Sequence, residues 1–184
     1  GMDVDRIQAP SRAPSVIRQS LGIDSNALVV GKIARLFPLK GHKFLIEAAR
    51  AVVDKVPQVQ FLLLGDGILR EQFEARVAEL GLQDHFKFAG LIPPTEVADY
   101  IHAMDIVAHT SEWEGLARVL PQGLIVGKPV VSFDIDGARE VCIPDTPGCL
   151  IPAGDIDALA TAITQLATDA PLRHRMGEEG RRRF

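Results

Sequence analysis

The chain has 184 residues, which is enough for one domain with a substantial hydrophobic core. Its 20 basic and 24 acidic residues give a net charge of −4, so the charge balance argues against a nucleic-acid-binding protein. No apolar run approaches the roughly 20 residues that a membrane-spanning helix needs, and no signal peptide is recognisable. Cys142 and Cys149 have no metal-ligand spacing and are expected to be buried thiols of a reducing compartment. We therefore expect a soluble protein that acts in the cytoplasm.

The amino-terminal residues differ in composition from the rest of the chain. Residues 1–27 are polar, contain two prolines, and show a helical pattern only around 15–21. Gly1, which precedes the first methionine, is interpreted as a remnant of an expression tag. We expect residues 1–27 to be a linker that leads into a single domain at 28–184.

From residue 27 onward, short apolar runs alternate with helical patterns. The apolar runs, which are typical of buried parallel strands, lie at 27–31, 58–65, 86–90, 106–108, 129–133 and 148–151. The helical patterns lie at 44–53, 69–80, 96–104, after Gly137, at 156–167 and at 171–184, with Thr95 and Asp155 as expected N-caps. This alternation predicts an α/β fold, a Rossmann-like, doubly wound parallel sheet of about six strands.

Ligands of such sheets bind at the carboxyl ends of the strands, where the winding reverses. Segments 35–40, 65–67, 90–92 and 110–116 all follow predicted strands, so they can converge on one crevice. Arg35 and Lys40 flank the first segment and have no acidic residue nearby in the sequence. Arg can fork onto two oxygens and Lys supplies a point charge, so the pair fits a diphosphate. The alternative is a solvated basic loop.

The stretch 107–131 is predicted to contain the end of a strand, a polar loop, a helix and a second strand. We expect the helix to start at Glu114, Gly115 and Leu116, where unpaired backbone N–H groups and the helix dipole favour an anion. Gln122 would then lie roughly 12 Å further along the helix axis. Glu114 and Gln122 could therefore hold the two ends of an elongated anionic ligand. The alternative is an ordinary strand-loop-helix unit with Glu114 as an acid of the first turn.

Asp134 and Asp136 follow a predicted strand and could hold a divalent cation against a diphosphate. Because Arg35 and Lys40 already supply positive charge, and because the two acids run into a turn suited to capping a helix, we expect a site without a metal. His109, at a strand end beside the crevice, is expected to be a hydrogen-bonded structural residue.

Several short motifs, each weak alone, together resemble those of the family 4 retaining nucleotide-sugar glycosyltransferases, which have the GT-B fold. They occur in the family's order, and the resemblance covers nearly everything from Gly31 to the end of the chain, as the carboxyl-terminal, donor-binding domain. The motifs are Gly31-Lys-Ile-Ala-Arg35-Leu with Lys40-Gly41, Leu64-Gly-Asp-Gly67, Phe88-Ala-Gly90, Glu114-Gly115-Leu116, Gly127-Lys-Pro-Val-Val131 and Gly137-Ala-Arg-Glu140.

In that family, two glutamates eight residues apart bracket the donor, the first near the sugar and the second on the ribose hydroxyls. Glu114 matches the first and is the implied catalytic residue, whereas Gln122 replaces the second. An amide still hydrogen-bonds a hydroxyl, although a carboxylate accepts more strongly. Leu116-Ala117-Arg118 also departs from the more usual Phe-Gly-Leu or Leu-Pro pattern.

The other implied contacts are with the nucleotide. Arg35 and Lys40 would neutralise the leaving diphosphate without a metal, aided by the backbone amides of residues 115–117. Leu91 or Ile92 would lie beside the base.

The resemblance implies transfer of a sugar, with retention and without a cofactor, from a UDP-, GDP- or ADP-linked donor to a glycan or lipid-linked acceptor. It also implies an amino-terminal acceptor domain that these 184 residues lack, so the isolated chain is expected to bind the donor without turnover. The full-length protein is expected in the cytoplasm, with peripheral contact to the inner face of the membrane as an option. Two alternatives stay open: a non-catalytic nucleotide-sugar-binding module, and one half of a GT-B-type epimerase.

Overall fold

The computed structural model describes residues 2–115, 117–142 and 150–184. In this described part, the centre is a parallel sheet of β1 (Leu28–Ile33), β2 (Val59–Leu64), β3 (Phe86–Gly90), β4 (Ile106–His109), β5 (Val130–Phe133) and β6 (Leu150–Ile151). The strands lie in the order β3-β2-β1-β4-β5-β6, and neighbouring strands are parallel. This is a doubly wound order, in which the winding reverses between β1 and β4. The predicted Rossmann-like fold is confirmed.

Helices cover both faces of the sheet. On one face, one core is formed with α3 (His42–Lys55), α4 (Arg70–Glu79), α8 (Ile156–Thr168) and α9 (Ala170–Arg182). On the other face, a second core is formed with α1 (Val4–Gln8), α2 (Pro14–Ser20), α5 (Val97–His102), α6 (Val119–Val126) and α7 (Asp136–Arg139). Successive strand residues belong to opposite cores: on β1, Val30 lies in the first and Val29 in the second. Burial on both faces explains why the strands are almost entirely apolar.

The helix limits test the predicted caps. Asp155 caps α8 as predicted, because its side chain accepts a hydrogen bond from the backbone N–H of Ala158 at 2.9 Å. Thr95 is not the N-cap of α5, which has Glu96 in that position. The prediction was wrong because the proline pair is followed by a turn, in which the Glu96 N–H donates to the Pro93 carbonyl at 2.8 Å, so the helix starts later.

Residues 2–27 pack on the sheet, which differs from the linker that we expected. α1 and α2 each bury one isoleucine, Ile7 and Ile17, in the second core. The Arg18 guanidinium donates to the Asp105 carboxylate at 2.9 Å and to a nearby backbone carbonyl at 3.0 Å, which fastens α2 to the residues just before β4. A single buried isoleucine per helix is too weak a pattern to be recognised in a polar sequence, so this packing was missed.

Two smaller expectations concern the cysteines and the membrane. Cys142 is buried just after α7, whereas Cys149 and the first half of the predicted strand 148–151 lie outside the described residues. Within the described ranges, no helix has the length and apolar composition required to cross a membrane.

Candidate functional site

A cleft of about 470 Å³ opens at the carboxyl ends of β1 and β4, where the winding of the sheet reverses. The segment after β1 supplies Arg35 and Lys40 to its lining, and the segment after β4 supplies Glu114. Ala117 precedes α6 and Gln122 lies on it, and both line the cleft as well. The fold therefore brings together side chains that are far apart in the sequence.

Most of the predicted site residues meet in this cleft. Those that line it are Arg35, Lys40, Ile92, Glu114, Ala117 and Gln122. Leu91 does not line it and is 81% exposed, and Gly115 does not line it either. Leu116 lies outside the described residues. The geometry gives the positions of these residues, while their roles toward a ligand stay predictions.

The helix after the central loop begins later than predicted. α6 starts at Val119 with Arg118 at its N-cap, so Glu114 lies in the preceding loop. The reason is Pro121. Proline is tolerated in the first turn of a helix, but in the interior it removes a hydrogen bond and clashes with the carbonyl four residues earlier. A start at Glu114 would have placed Pro121 in the second turn, so Glu114 and Gln122 do not lie along one helix.

Lys40 and Glu114 form an ion pair within the cleft. The Lys40 ammonium donates to both carboxylate oxygens, at 3.1 Å to Oε1 and 2.9 Å to Oε2, and the Ser111 hydroxyl donates to Oε2 at 3.2 Å. Burial by itself would raise the pKa of Glu114, but these hydrogen bonds and the charge of Lys40 outweigh it and hold the pKa below its ordinary value. Lys40 thus has an acidic partner although none lies near it in the sequence, because residues 74 positions apart meet at the sheet edge.

Arg35 has a different environment from Lys40. It is exposed, and its guanidinium carbon lies 4.0 Å from the centroid of the Phe37 ring, a contact that orients the charge without neutralising it. No carboxylate of the described ranges lies within 4.0 Å of this guanidinium. The Leu36 N–H donates to the Asp66 carbonyl at 3.0 Å, so the backbone next to Arg35 is held by the loop after β2.

Hydrogen bonds also join the loops that follow β1 and β4. The Thr110 hydroxyl donates to the Gly41 carbonyl at 2.8 Å, and the Glu112 N–H donates to the Leu39 carbonyl at 2.9 Å. Gly41 has a φ of +71°, and a Cβ atom at this position would overlap the Thr110 carbonyl oxygen. This close approach, which requires glycine, sets the short distance between the two loops that carry the ion pair.

Two buried basic side chains near Glu114 were not predicted as site residues. Lys32 on β1 is 1% exposed, and burial lowers the pKa of its ammonium to about 7, although the Glu114 charge opposes this shift. His109 is 4% exposed and lines the cleft, and burial together with the Lys32 charge lowers its pKa to about 4. The sequence signal that could have identified Lys32 is its position inside the apolar strand Leu28–Ile33.

Asp134 and Asp136 were considered as ligands of a divalent cation, but their side chains have other surroundings in the structure. Asp134 accepts a hydrogen bond from the Arg139 guanidinium at 2.6 Å, and the Asp136 side chain is fully exposed. In the part of the chain that the structure describes, no group of three or more His, Cys, Asp or Glu side chains could hold a metal ion.

His42, at the start of α3, makes the stability of the protein depend on pH. It is buried against the Phe73 ring, and neither ring nitrogen has a hydrogen-bond partner in the described residues. Burial, with the Lys32 charge as a second cause, lowers the pKa of His42 to about 2. The pKa of His42 in the folded chain is therefore below its ordinary value of about 6.5. Once the pH falls below about 6.5, His42 is protonated in the unfolded chain and stays neutral in the folded chain. Folding is therefore expected to weaken as the pH falls.

We expect the His42→Leu variant to lose this part of the acid sensitivity. Between pH 7 and pH 5, the free energy of unfolding of the wild type should fall by about 2 kcal/mol more than that of the variant. Urea denaturation at pH 7, 6 and 5 measures the difference. Parallel curves for the two proteins would mean that His42 is protonated equally in both states.

A family model for glycosyl transferases of group 1 matches residues 15–183. A 2-deoxystreptamine N-acetyl-D-glucosaminyltransferase of Streptomyces fradiae is 32% identical over 159 residues, which cover 85% of this chain and 38% of that protein. A D-inositol 3-phosphate glycosyltransferase of Corynebacterium urealyticum is 31% identical over 186 residues, which cover 97% of this chain and 44% of that protein. The chain therefore spans less than half the length of these two relatives.

The comparison with solved structures also identifies glycosyltransferases. Anabaena HepE, crystallised with UDP-glucose, matches 99% of this chain with a TM-score of 0.89 and 30% identity, and the match covers 50% of HepE. The fold is that of GT-B glycosyltransferases, and this chain corresponds to their carboxyl-terminal half. By the family match over residues 15–183, the chain belongs to the glycosyl transferases of group 1.

Proposed function

We propose that this domain binds a nucleotide diphosphate-sugar, and that the full-length protein transfers the sugar, with retention, to a glycan or lipid-linked acceptor. The observation that carries the proposal is the meeting of Arg35, Lys40 and Glu114 in one cleft at the reversal point of the sheet. Two cations and one carboxylate match a ligand with a diphosphate at one place and hydroxyl groups beside it. HepE, which has the same fold, has been crystallised with UDP-glucose and with UDP and glucose.

Each cleft residue has a role in this proposal. Arg35 and Lys40 stabilise the charge that develops on the leaving diphosphate, so no metal is required. Glu114 orients the sugar, Gln122 contacts the ribose, and Ile92 lies beside the base. The relatives are named as transferases, which favours transfer over epimerisation.

The ion pair between Lys40 and Glu114 gives the proposal a defined first step. Without ligand, Lys40 donates to both carboxylate oxygens of Glu114. A diphosphate offers Lys40 a second anionic acceptor, and each bond that Lys40 transfers to the phosphate increases the capacity of Glu114 to accept from sugar hydroxyls. Binding of the phosphate and presentation of the carboxylate to the sugar are thereby coupled.

The proposal is tested by calorimetric titration of the 184-residue chain with UDP and with uridine. Arg35→Ala and Lys40→Ala should each weaken UDP binding by about 1.5–3 kcal/mol, which is about 10- to 150-fold, because a charged hydrogen bond is lost. Uridine, which has no phosphate, should bind all variants alike. EDTA should leave the binding of UDP unchanged if no metal takes part.

Lys43→Ala is the matched control. Lys43 lies three residues after Lys40, but its side chain is 62% exposed and its ammonium is 4.0 Å from the Glu112 carboxylate. Its removal lowers the net charge equally and should leave UDP affinity within about twofold, because Lys43 does not line the cleft and its exposed charge is screened by salt. Equal losses for UDP and uridine, or equal losses for Lys43→Ala and Lys40→Ala, would contradict the proposal.

A non-catalytic nucleotide-sugar-binding module is the second candidate, because Gln122 stands where the resembled family has a glutamate. Such a module would show the same titrations. An assay of the full-length protein separates the two: release of nucleoside diphosphate in the presence of an acceptor supports the transferase.

A further inference from the structure

The imidazole of His109 ends β4 and contributes to the lining of the cleft while 4% exposed. Its Nδ1 lies 3.1 Å from the hydroxyl oxygen of Ser132, which stands opposite it on β5. The same hydroxyl lies 2.9 Å from the carbonyl oxygen of Phe133. The Nδ1 side of the His109 ring is therefore held by a hydrogen bond to the neighbouring strand β5.

These two contacts fix the direction of the hydrogen bonds. A carbonyl oxygen only accepts, so the single hydroxyl hydrogen of Ser132 is donated to Phe133. The hydroxyl oxygen must then accept from His109, so Nδ1 carries the proton. In the neutral ring, Nε2 is consequently left with a lone pair and can act only as an acceptor.

Burial and the nearby charges keep the His109 ring in this neutral form. Burial opposes a further positive charge, as do Lys32 and Lys40, while Glu114 favours it, and the net result is a pKa of about 4. The acceptor at Nε2 is therefore present throughout the neutral pH range.

Nε2 of His109 lies 3.8 Å from Oε2 of Glu114. This distance is too long for a hydrogen bond, and neither atom has a hydrogen to give to the other. The cleft thus contains two neighbouring acceptors, and a donor group of a bound ligand can hydrogen-bond to Nε2. Phosphate oxygens are acceptors and are disfavoured here, whereas hydroxyl groups can donate.

We propose that His109 is a specificity-determining residue that accepts a hydrogen bond from one hydroxyl of the donor sugar, beside Glu114. The inference rests on the proposed function, and it assigns the diphosphate and the sugar of the donor to different residues of the cleft. Arg35 and Lys40 take the diphosphate, and His109 with Glu114 takes the sugar.

Two substitutions test the role of Nε2. In His109→Asn, the short amide can still donate to Ser132, but nothing replaces Nε2. In His109→Gln, the longer side chain can place an amide oxygen near the former Nε2 position. Both variants are first compared with the wild type by thermal unfolding. They are then titrated with UDP and UDP-glucose, GDP and GDP-mannose, and ADP and ADP-glucose, using the pair that binds the wild type.

The ratio of the dissociation constant of the nucleotide-sugar to that of the matching nucleoside diphosphate is the measured quantity. It should rise about 3- to 10-fold in His109→Asn, as expected for one ordinary hydrogen bond, and recover at least partly in His109→Gln. The affinity for the nucleoside diphosphate itself should stay within about twofold, because a neutral hydrogen bond to the sugar is not formed by that ligand.

Donor analogues that each lack one sugar hydroxyl identify the group that is read. One analogue should bind the wild type and His109→Asn equally, and the others should keep the difference. An unchanged ratio, or equal weakening of nucleotide-sugar and nucleoside diphosphate, would overturn the inference and leave His109 as a structural residue. If the wild type binds none of the six ligands, the proposed function itself fails, and the inference fails with it.

Discussion

Replacement of Gly41 by alanine is expected to destabilise the protein by about 2–5 kcal/mol. The left-handed φ of +71° costs about 1–2 kcal/mol for a residue with a Cβ atom. The added methyl group would also overlap the Thr110 carbonyl oxygen, a backbone atom that cannot rotate away, and overpacking of this kind costs about 1–3 kcal/mol. Because the two loops must separate, binding of a nucleoside diphosphate should weaken as well. Urea denaturation and titration measure the two effects.

Gly81→Ala is the matched control for this experiment. Gly81 has a φ of +68°, and in the described residues a Cβ atom at this position would meet no atom within 4 Å. The control carries the backbone cost alone, about 1–2 kcal/mol, and should not affect the ligand. Equal destabilisation by the two substitutions would show that the contact between Gly41 and Thr110 does not limit the approach of the loops.

Phe61→Ala is expected to cost about 3–5 kcal/mol of stability, the usual range for removal of a fully buried aromatic side chain. Phe61 is 0% exposed on β2, and its ring stacks on Phe86 with a centroid distance of 4.9 Å. The truncation leaves a cavity in the first core, between the sheet and the helices that cover it. The free energy of unfolding in urea is the measurement.

Phe184→Ala makes the same chemical change at a residue that is 51% exposed. It should alter stability by less than about 0.5 kcal/mol, as is usual for surface positions. A loss for Phe61→Ala as small as that of Phe184→Ala would place Phe61 outside the cooperative core.

Most of the fold could be predicted from the sequence because strand burial on both faces leaves an unmistakable pattern. The runs that become β2, β3 and β5 are apolar and end at turns, so their limits were predicted within one residue or two. β1 was predicted to end before Lys32, but it continues to Ile33. A buried lysine is stabilised by its three-dimensional surroundings, and a local pattern contains no information about them.

The site was predictable in its location and less so in its contacts. Residues that follow parallel strands reach the same sheet edge, and this placed Arg35, Lys40 and Glu114 together. The pairing of Lys40 with Glu114 depends on the exact approach of two loops, which a sequence does not give. The late start of α6 could have been predicted from Pro121, because a proline in the second turn disfavours an earlier start.

Because the amino-terminal helices pack on the sheet, the part of the chain that folds as a unit is longer than the part that carries the candidate ligand-binding segments. A junction chosen from the binding segments would fall just ahead of β1. The Asp105 carboxylate, however, accepts both from the Arg18 guanidinium at 2.9 Å and from the Val29 N–H at 2.8 Å, so the first residues of β1 share an anchor with α2. A chimera joined at residue 28 would leave this carboxylate without its cation and uncover the apolar surface under Ile17. For exchange of domains between relatives, the junction belongs ahead of α1.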